Sequence, residues 1–395
     1  MLTIVIPTYW KRKESLPGKP EDLVFDHPTA LDGEDTLTRT LESLTKIKDD
    51  FSVVVITATV NHEIDEEVEE RVAQIIRPFR ESYRIMQFAE SDLRFIRRRM
   101  SELSLRPEDI SLEGYSSIRN CQLLIPSILG TEIISAIDDD EIVEPDFVRQ
   151  AGAYVGKQLD GKTADGIGGR YFYEWGNYRV KEPKDARATL NVFGRKHALQ
   201  NDSYELFDSR EGRIVETSIV LGGNMVFSKK LFQAVPFDPL VTRGEDIDYL
   251  INSRIMGYNW MLDKELKIYH YPPACNPSHK LQEDIIRFIY EKRKIELSAE
   301  LDGFNEVSVE ELKPYPGEYF TERLEQDALT ALAQREGLSG DEPFYLSPEA
   351  TIEAAHHRAE LASEYYEFIS RWRELVKKLG ADSQSVEYLR GCFNK

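Results

Sequence analysis

The stretch Gly130–Pro145, "GTEIISAIDDDEIVEP", passes from an apolar segment straight into four adjacent carboxylates. Two carboxylates about 4 Å apart repel by about 4 kcal/mol at an effective dielectric near 20. Gly130–Ile137 reads as a buried strand, so Asp138, Asp139, Asp140 and Glu141 fall at its C-terminal end. On its own the run reads equally as a solvated acidic turn or as a cation site. The apolar strand before it and Pro145 after it favour the site. Side chains alternate along a strand, which puts Asp138 and Asp140 on one face and Asp139 on the other. Two carboxylates converging on one point are tolerable around a divalent cation, and Mg²⁺ or Mn²⁺ prefers such oxygen ligands. Glu141 reads as solvated.

Working outward, the same grammar repeats. "LTIVIPTY" (Leu2–Tyr9) and "FSVVVITATV" (Phe51–Val60) are β-branched runs, with "YRIMQFA" (Tyr83–Ala89) a third. Between them, Asp35–Ile47 and Asn61–Phe79 carry helical patterning. Leu37, Leu41 and Leu44 share one face, and Asp35 is placed to cap. Ser116–Leu129 is a further helix leading into the acidic strand. This alternation predicts an α/β fold with a mostly parallel sheet flanked by helices on both faces. Ligand crevices in such sheets lie outside the carboxyl ends of the strands, where the aspartates sit. Residues 91–117 read as a charged insertion and 177–213 as an irregular lobe. From about 278 the pattern is helix and loop, with one long helix over Pro348–Gly380. That helix would pack on the core or against a second subunit.

Composition narrows the function classes. The formal net charge is −20, which argues against general binding of nucleic acid. The densest basic cluster, Arg94–Arg99, reads as a solvated helix face or as a phosphate or lipid contact. Cys121, Cys275 and Cys392 are three, far apart, and form neither a disulfide framework nor a CxxC metal site. The N-terminus lacks a basic stretch before its short apolar run, and no apolar run approaches the ~20 residues of a membrane span. A soluble cytoplasmic protein is expected.

Other positions carry chemistry. "RGEDIDY" (Arg243–Tyr249) puts Glu245 and Asp246 at a helix start. The helix dipole alone would favour them there, and a general base is the functional reading. "IYHYPP" places His270 at a strand end, where it is structural or a ligand for a divalent metal. Gly222 and Gly223 in "LGGNM" allow close backbone approach. Tyr173, Trp175 and Tyr178 offer aromatic faces of the kind that suit sugar rings, or an ordinary aromatic core stripe.

Taken in order, these segments resemble the GT-A fold glycosyltransferases, most closely those of family 2. The resemblance covers about residues 1–275, with the nucleotide-sugar half at about 1–145 and the acceptor half at 146–275. Residues 276–395 would form a mainly helical C-terminal extension, a possible route to a homo-oligomer. "TIVIPTY" is similar to the family's first strand, implying nucleotide contacts at Pro7, Thr8 and Tyr9. "SSIRNCQLLIPSIL" is similar to its Arg-Asn helix, implying Arg119 and Asn120. Asp138-Asp139-Asp140 matches its DxD motif. The resemblance implies a nucleotide-diphosphate sugar donor and a hydroxyl acceptor. Asp140, His270 and Asp138 would hold Mg²⁺ or Mn²⁺, with Asp138 and Asp139 also touching the donor. Gly222, Gly223, Arg243 and Trp175 would meet the acceptor. Asp246 would be the base of an inverting reaction, and Glu245 would position the acceptor. Thr57 and Thr59 stand where the family usually has an acidic base-reading residue, which leaves uracil or guanine open. The long segment Lys11–Glu34 is also unusual and could form a lid. A metal-binding His after the last strand also resembles retaining enzymes that make glucosyl- or mannosyl-glycerate compounds. A nucleotidyltransferase would need a Gly-rich loop that "IPTYWKRKE" lacks, and a non-catalytic sugar- or protein-binding module is the remaining alternative.

Overall fold

The computed structural model describes residues 1–12, 25, 28–272, 280–335 and 346–394. Much of the expected lid segment, and Cys275, lie outside the described residues. The β-branched run Leu2–Lys11 (β1) sends Val5 into one core and Ile4 and Ile6 into another. Phe51–Thr59 (β2) does the same, with Val54 and Ile56 on one side and Val53 and Val55 on the other. Strands apolar on both faces need cover on both faces, so helices must flank the sheet.

The other main strands are Arg84–Phe88 (β3), Ile133–Ala136 (β4), Gly166–Tyr173 (β5), Ile214–Glu216 (β6), Met225–Ser228 (β7) and Trp260–His270 (β8). They are ordered β6-β8-β5-β7-β4-β1-β2-β3. β4, β1, β2 and β3 run parallel, as do β5 and β8. β7 lies antiparallel between β4 and β5, and β6 antiparallel to β8. Short strands Thr29–Ala30 and Glu141–Ile142 add to β1 and β8. The fold is therefore α/β with a mostly parallel sheet, helices on both faces and further helices at the C-terminal end.

Leu37–Leu44 (α1) and Asp65–Ile76 (α2) cover one face. Asp35 accepts from the Thr38 N–H at 2.6 Å, as its capping position predicts. Glu90–Glu102 (α3) and Tyr115–Ile128 (α4) cover the other. The charged insertion is thus largely helical: Leu93, Ile96 and Met100 form an apolar stripe that the surrounding arginines hide from a composition reading. Within the expected irregular lobe lies another helix, Lys196–Ser209 (α5). Glu245–Ile255 (α6) and Lys280–Glu300 (α7) pack together. The long helix expected over Pro348–Gly380 is two helices, Pro348–Glu360 (α8) and Ala362–Ala381 (α9). The first ends at Leu361, beyond which α9 packs on α4 as well as on α7, whereas α8 packs on α7. Tyr365, Ile369, Trp372 and Leu379 of α9 are buried in the chain's own core, and the Trp372 indole donates to the Phe232 carbonyl at 3.1 Å.

The basic cluster of α3 is partly structural. Arg99 is buried and binds Asp382 through Nε at 3.0 Å and a terminal nitrogen at 2.8 Å. Asp382 also caps the last helix, Ser383–Cys392, through the Ser385 N–H at 3.0 Å. The Arg99 hydrogen bonds hold the Asp382 carboxyl at about 2, below its ordinary 3.8. A depressed carboxylate contributes stability above its unfolded value and loses it as pH falls through the folded one. Asp382→Asn is therefore expected to cost about 2 kcal/mol at pH 7, with roughly half of that gap gone by pH 3. Urea unfolding of both proteins at the two pH values checks this. A pH-independent gap would contradict it.

Candidate active site

β4 stops at Ala136, and Asp139 and Asp140 occupy a turn before Glu141–Ile142 pairs with β8 at His270 and Tyr269. Because a turn replaces the expected strand, alternation does not divide the aspartates: all three line one cavity of about 290 Å³. Asp139 is buried and accepts a 2.6 Å bond from the Thr8 hydroxyl, itself bonded at 2.9 Å by the Trp10 indole. Burial, then the neighbouring Asp140, push the Asp139 carboxyl well above the usual range.

Glu141 is not solvated. It is 0% exposed, and its Oε2 accepts from the Asp138 N–H at 2.8 Å. Its Oε1 is buried without a hydrogen-bond partner among the described residues. Burial, Asp138 and Asp140 push its carboxyl up. Gly223 makes the room, since a Cβ there would stand 2.1 Å from Glu141 Oε1. Pairing with β8 brings Asp140, Glu141 and His270 together, with one donor atom from each within 4.8 Å of the others. His270 Nε2 lies 3.4 Å from Asp140 Oδ2, and its buried Nδ1 has no partner among the described residues. Two carboxylates and an imidazole, with a buried carboxylate oxygen left unbonded, fit a divalent cation such as Mg²⁺ or Mn²⁺. Asp138 is turned instead toward Arg119, at 3.0 Å.

Arg119, from α4, is the bridge across the cavity. It meets Asp138 on one side and Glu245 at 3.2 Å on the other. Burial opposes its charge, but Asp138, Tyr9 and Glu245 outweigh that and raise the guanidinium pKa. Gly222 lies beneath it; a Cβ there would come within 2.6 Å of the guanidinium. Burial pushes the Glu245 carboxyl up, against the pull of Arg119. Asp246 accepts from the Gly222 N–H at 3.1 Å and the Ile247 N–H at 2.8 Å, which orients its carboxylate at the cavity wall. Gly244, just before α6, has φ of +71°, and its missing Cβ leaves space for Arg287. Both reasons require glycine there.

α6 is anchored from behind. Lys294 of α7 is fully buried and binds Asp238 at 2.9 Å and also Asp248. Burial pushes Asp248 up to about 6, against the pull of Lys294. Lys294→Met would leave two buried carboxylates without their cation, at a cost of about 3–5 kcal/mol. Guanidinium unfolding measures this, and a loss below about 1 kcal/mol would show that the pair carries little.

Several lining residues carry no signal in the sequence. Lys196 and Gln200 come from α5, Asp284 and Arg287 from α7, and Tyr315 from the segment after it. α5 lies in the stretch that reads as an irregular lobe, and α7 in the stretch that reads only as helix and loop. Tyr9 and Arg243 line the cavity as expected, joined by Tyr115 and Tyr171. Other expected residues do not line it. Asn120 clips Phe237 through paired 2.9 and 2.8 Å backbone bonds, and Thr57 accepts from Gln87 at 3.1 Å. Pro7 lies within β1 opposite Ile56. Trp175 is half-exposed and stacks on Tyr173 at 4.5 Å. The Gly223 N–H is bonded to the Tyr171 hydroxyl. A separate surface group of His62, Asp65 and Glu90 also gathers donors, but His62 is already bonded to Asp65 and Glu113 at 3.0 and 3.1 Å.

Neither a family model nor a curated protein matches the chain. Solved structures do overlap it. One is the mannosyltransferase PcManGT from Pyrobaculum calidifontis, in complex with GDP-Man and Mn²⁺, at 13% identity and TM-score 0.44, covering 96% of this chain and 85% of that one. TarS of S. aureus overlaps at 12% identity and TM-score 0.43, over 95% of this chain and 55% of that one. GalNAc-T7 with UDP, GalNAc and Mn²⁺ overlaps at 12% and 0.39, over 88% and 58%. Overlap this slight transfers no activity, so function has to be read from the residues of the cavity. No helix among the described residues is long and apolar enough to cross a membrane.

Proposed function

We propose that the protein transfers a hexosyl group from a UDP- or GDP-sugar to an acceptor hydroxyl, in a metal-dependent, inverting reaction. The observation that carries this reading is the Asp140–Glu141–His270 cluster, whose Asp140 and His270 line the same cavity as Asp246. Asp140, Glu141 and His270 would hold Mg²⁺ or Mn²⁺. The cation supplies charge neutralisation for the departing diphosphate. Asp138 and Arg119 form the neutral pair between that end and the acceptor end. Asp246, oriented by two backbone N–H groups, takes the proton from the attacking hydroxyl. Glu245, clamped by Arg119, positions the acceptor beside it. His270 next to Asp140 also fits a retaining enzyme, and the anomeric configuration of the product by NMR distinguishes the two.

The test is a panel of UDP- and GDP-sugars with Mn²⁺. One donor is expected to raise the melting temperature only with metal, and EDTA is expected to reverse the shift. If no sugar nucleotide stabilises the protein and EDTA changes nothing, the reading fails.

A further inference from the structure

Tyr171 lines the cavity, and the transfer chemistry gives it no part. It sits near the C-terminal end of β5, where pairing with β8 sets it opposite Ile268, two residues before His270. Its ring centroid lies 5.2 Å from that of His270, and the residue is only 7% exposed. The hydroxyl is within electrostatic reach of Glu141 at the metal end and of Asp246 at the other, which places it between the two. Its oxygen accepts from the Gly223 N–H. A phenol has one proton to give, and a backbone N–H cannot receive it. No group among the described residues accepts that proton. Buried polar groups are nearly always bonded, so an unspent donor in a cavity wall is ready for a ligand oxygen. The bond from Gly223 fixes the phenol oxygen and strengthens its proton as a donor.

We propose that Tyr171 contacts the transferred sugar, donating its hydroxyl proton to one sugar hydroxyl, and so helps to select the sugar. Position carries the choice of partner. In a displacement the transferred ring lies between the departing oxygen, at the cation, and the attacking oxygen, at Asp246. A sugar hydroxyl also suits the chemistry. It accepts from Tyr171 and has a proton of its own for a neighbouring carboxylate such as Glu141 or Asp138. A site built to hydrogen-bond one hydroxyl rejects the analogue that lacks it. This inference rests on the transferase reading.

The full-length protein is titrated calorimetrically, with Mn²⁺ and no acceptor, against UDP, GDP, UDP-glucose, UDP-N-acetylglucosamine and GDP-mannose. The monodeoxy forms of the sugar nucleotide that binds tightest follow. Tyr171→Phe should weaken that sugar nucleotide roughly tenfold and leave UDP and GDP unchanged. One monodeoxy form should bind native protein and variant equally, because the hydroxyl that Tyr171 serves is already gone. Replacing Tyr171 by 3-fluorotyrosine keeps the hydroxyl, and its fluorine resonance should move with the sugar nucleotide but not with the nucleotide alone. The proposal is overturned if Tyr171→Phe binds every sugar nucleotide as the native protein does, or if the fluorine resonance moves equally for both ligands. A loss of the same size for all monodeoxy forms overturns it too, and marks a structural role. So does an equal loss of UDP and GDP, because Tyr171 would then act through Glu141 on the metal. If the native protein binds no sugar nucleotide at all, the transferase reading itself fails and this inference falls with it.

Discussion

Asp140→Ala is expected to abolish metal-dependent stabilisation by the donor and to lower kcat/KM by at least about 10³-fold. A divalent cation at a departing diphosphate contributes several kcal/mol of transition-state stabilisation, and each 1.36 kcal/mol is tenfold in rate. Asp140 lies beside Glu141 and His270, and removing one of these three proposed ligands would leave two, too few to hold a weakly bound hard cation. The substitution is tolerable for folding. Asp140 repels both Asp139 and Glu141, so its loss relieves strain between like charges. Donor titrations with and without Mn²⁺, on native and variant protein of matched melting temperature, give the result. A non-catalytic binding module predicts the reverse outcome, with ligand binding intact in the variant.

Asp246→Asn should lower kcat by about 10²–10⁴-fold while leaving donor affinity nearly unchanged. The amide keeps the shape and can still accept the Gly222 N–H bond, but it cannot take a proton. The loss should shrink for acceptors with more acidic hydroxyls, which need less help from a base. That dependence on the acceptor separates a base from a residue that merely positions substrate. If kcat falls less than about threefold, or falls equally for all acceptors, Asp246 is not the base.

The parts of this molecule that were legible in advance share one property: they are local. The near-continuous β-branched runs in Leu2–Tyr9 and Phe51–Val60 announce strands apolar on both faces, and that demands helical cover. The capping aspartate before α1, the acidic start of α6 and the histidine near the end of β8 follow from local pattern too. Less legible were α3 and α5, whose apolar stripes are diluted by charge. Leu361 looks like continuous helix from its neighbours, and the break there accompanies the added packing of α9 on α4.

Local pattern by itself determined the main strands and helices up to residue 89, the acidic run at a strand end and the Glu-Asp pair at a helix start. Tertiary structure alone decided which carboxylates do what. The pairing of Glu141–Ile142 with β8 turns Glu141 inward beside His270, while Arg119 from α4 takes Asp138 away from that cluster. Packing of α7 against α6, and the Lys196–Asp284 pair that ties α5 to α7, bring Lys196, Asp284 and Arg287 into the same cavity. Periodicity tells a side chain which face of its own element it occupies. Which distant side chain it meets there depends on strand register and helix packing, and those are set by burying the whole core at once.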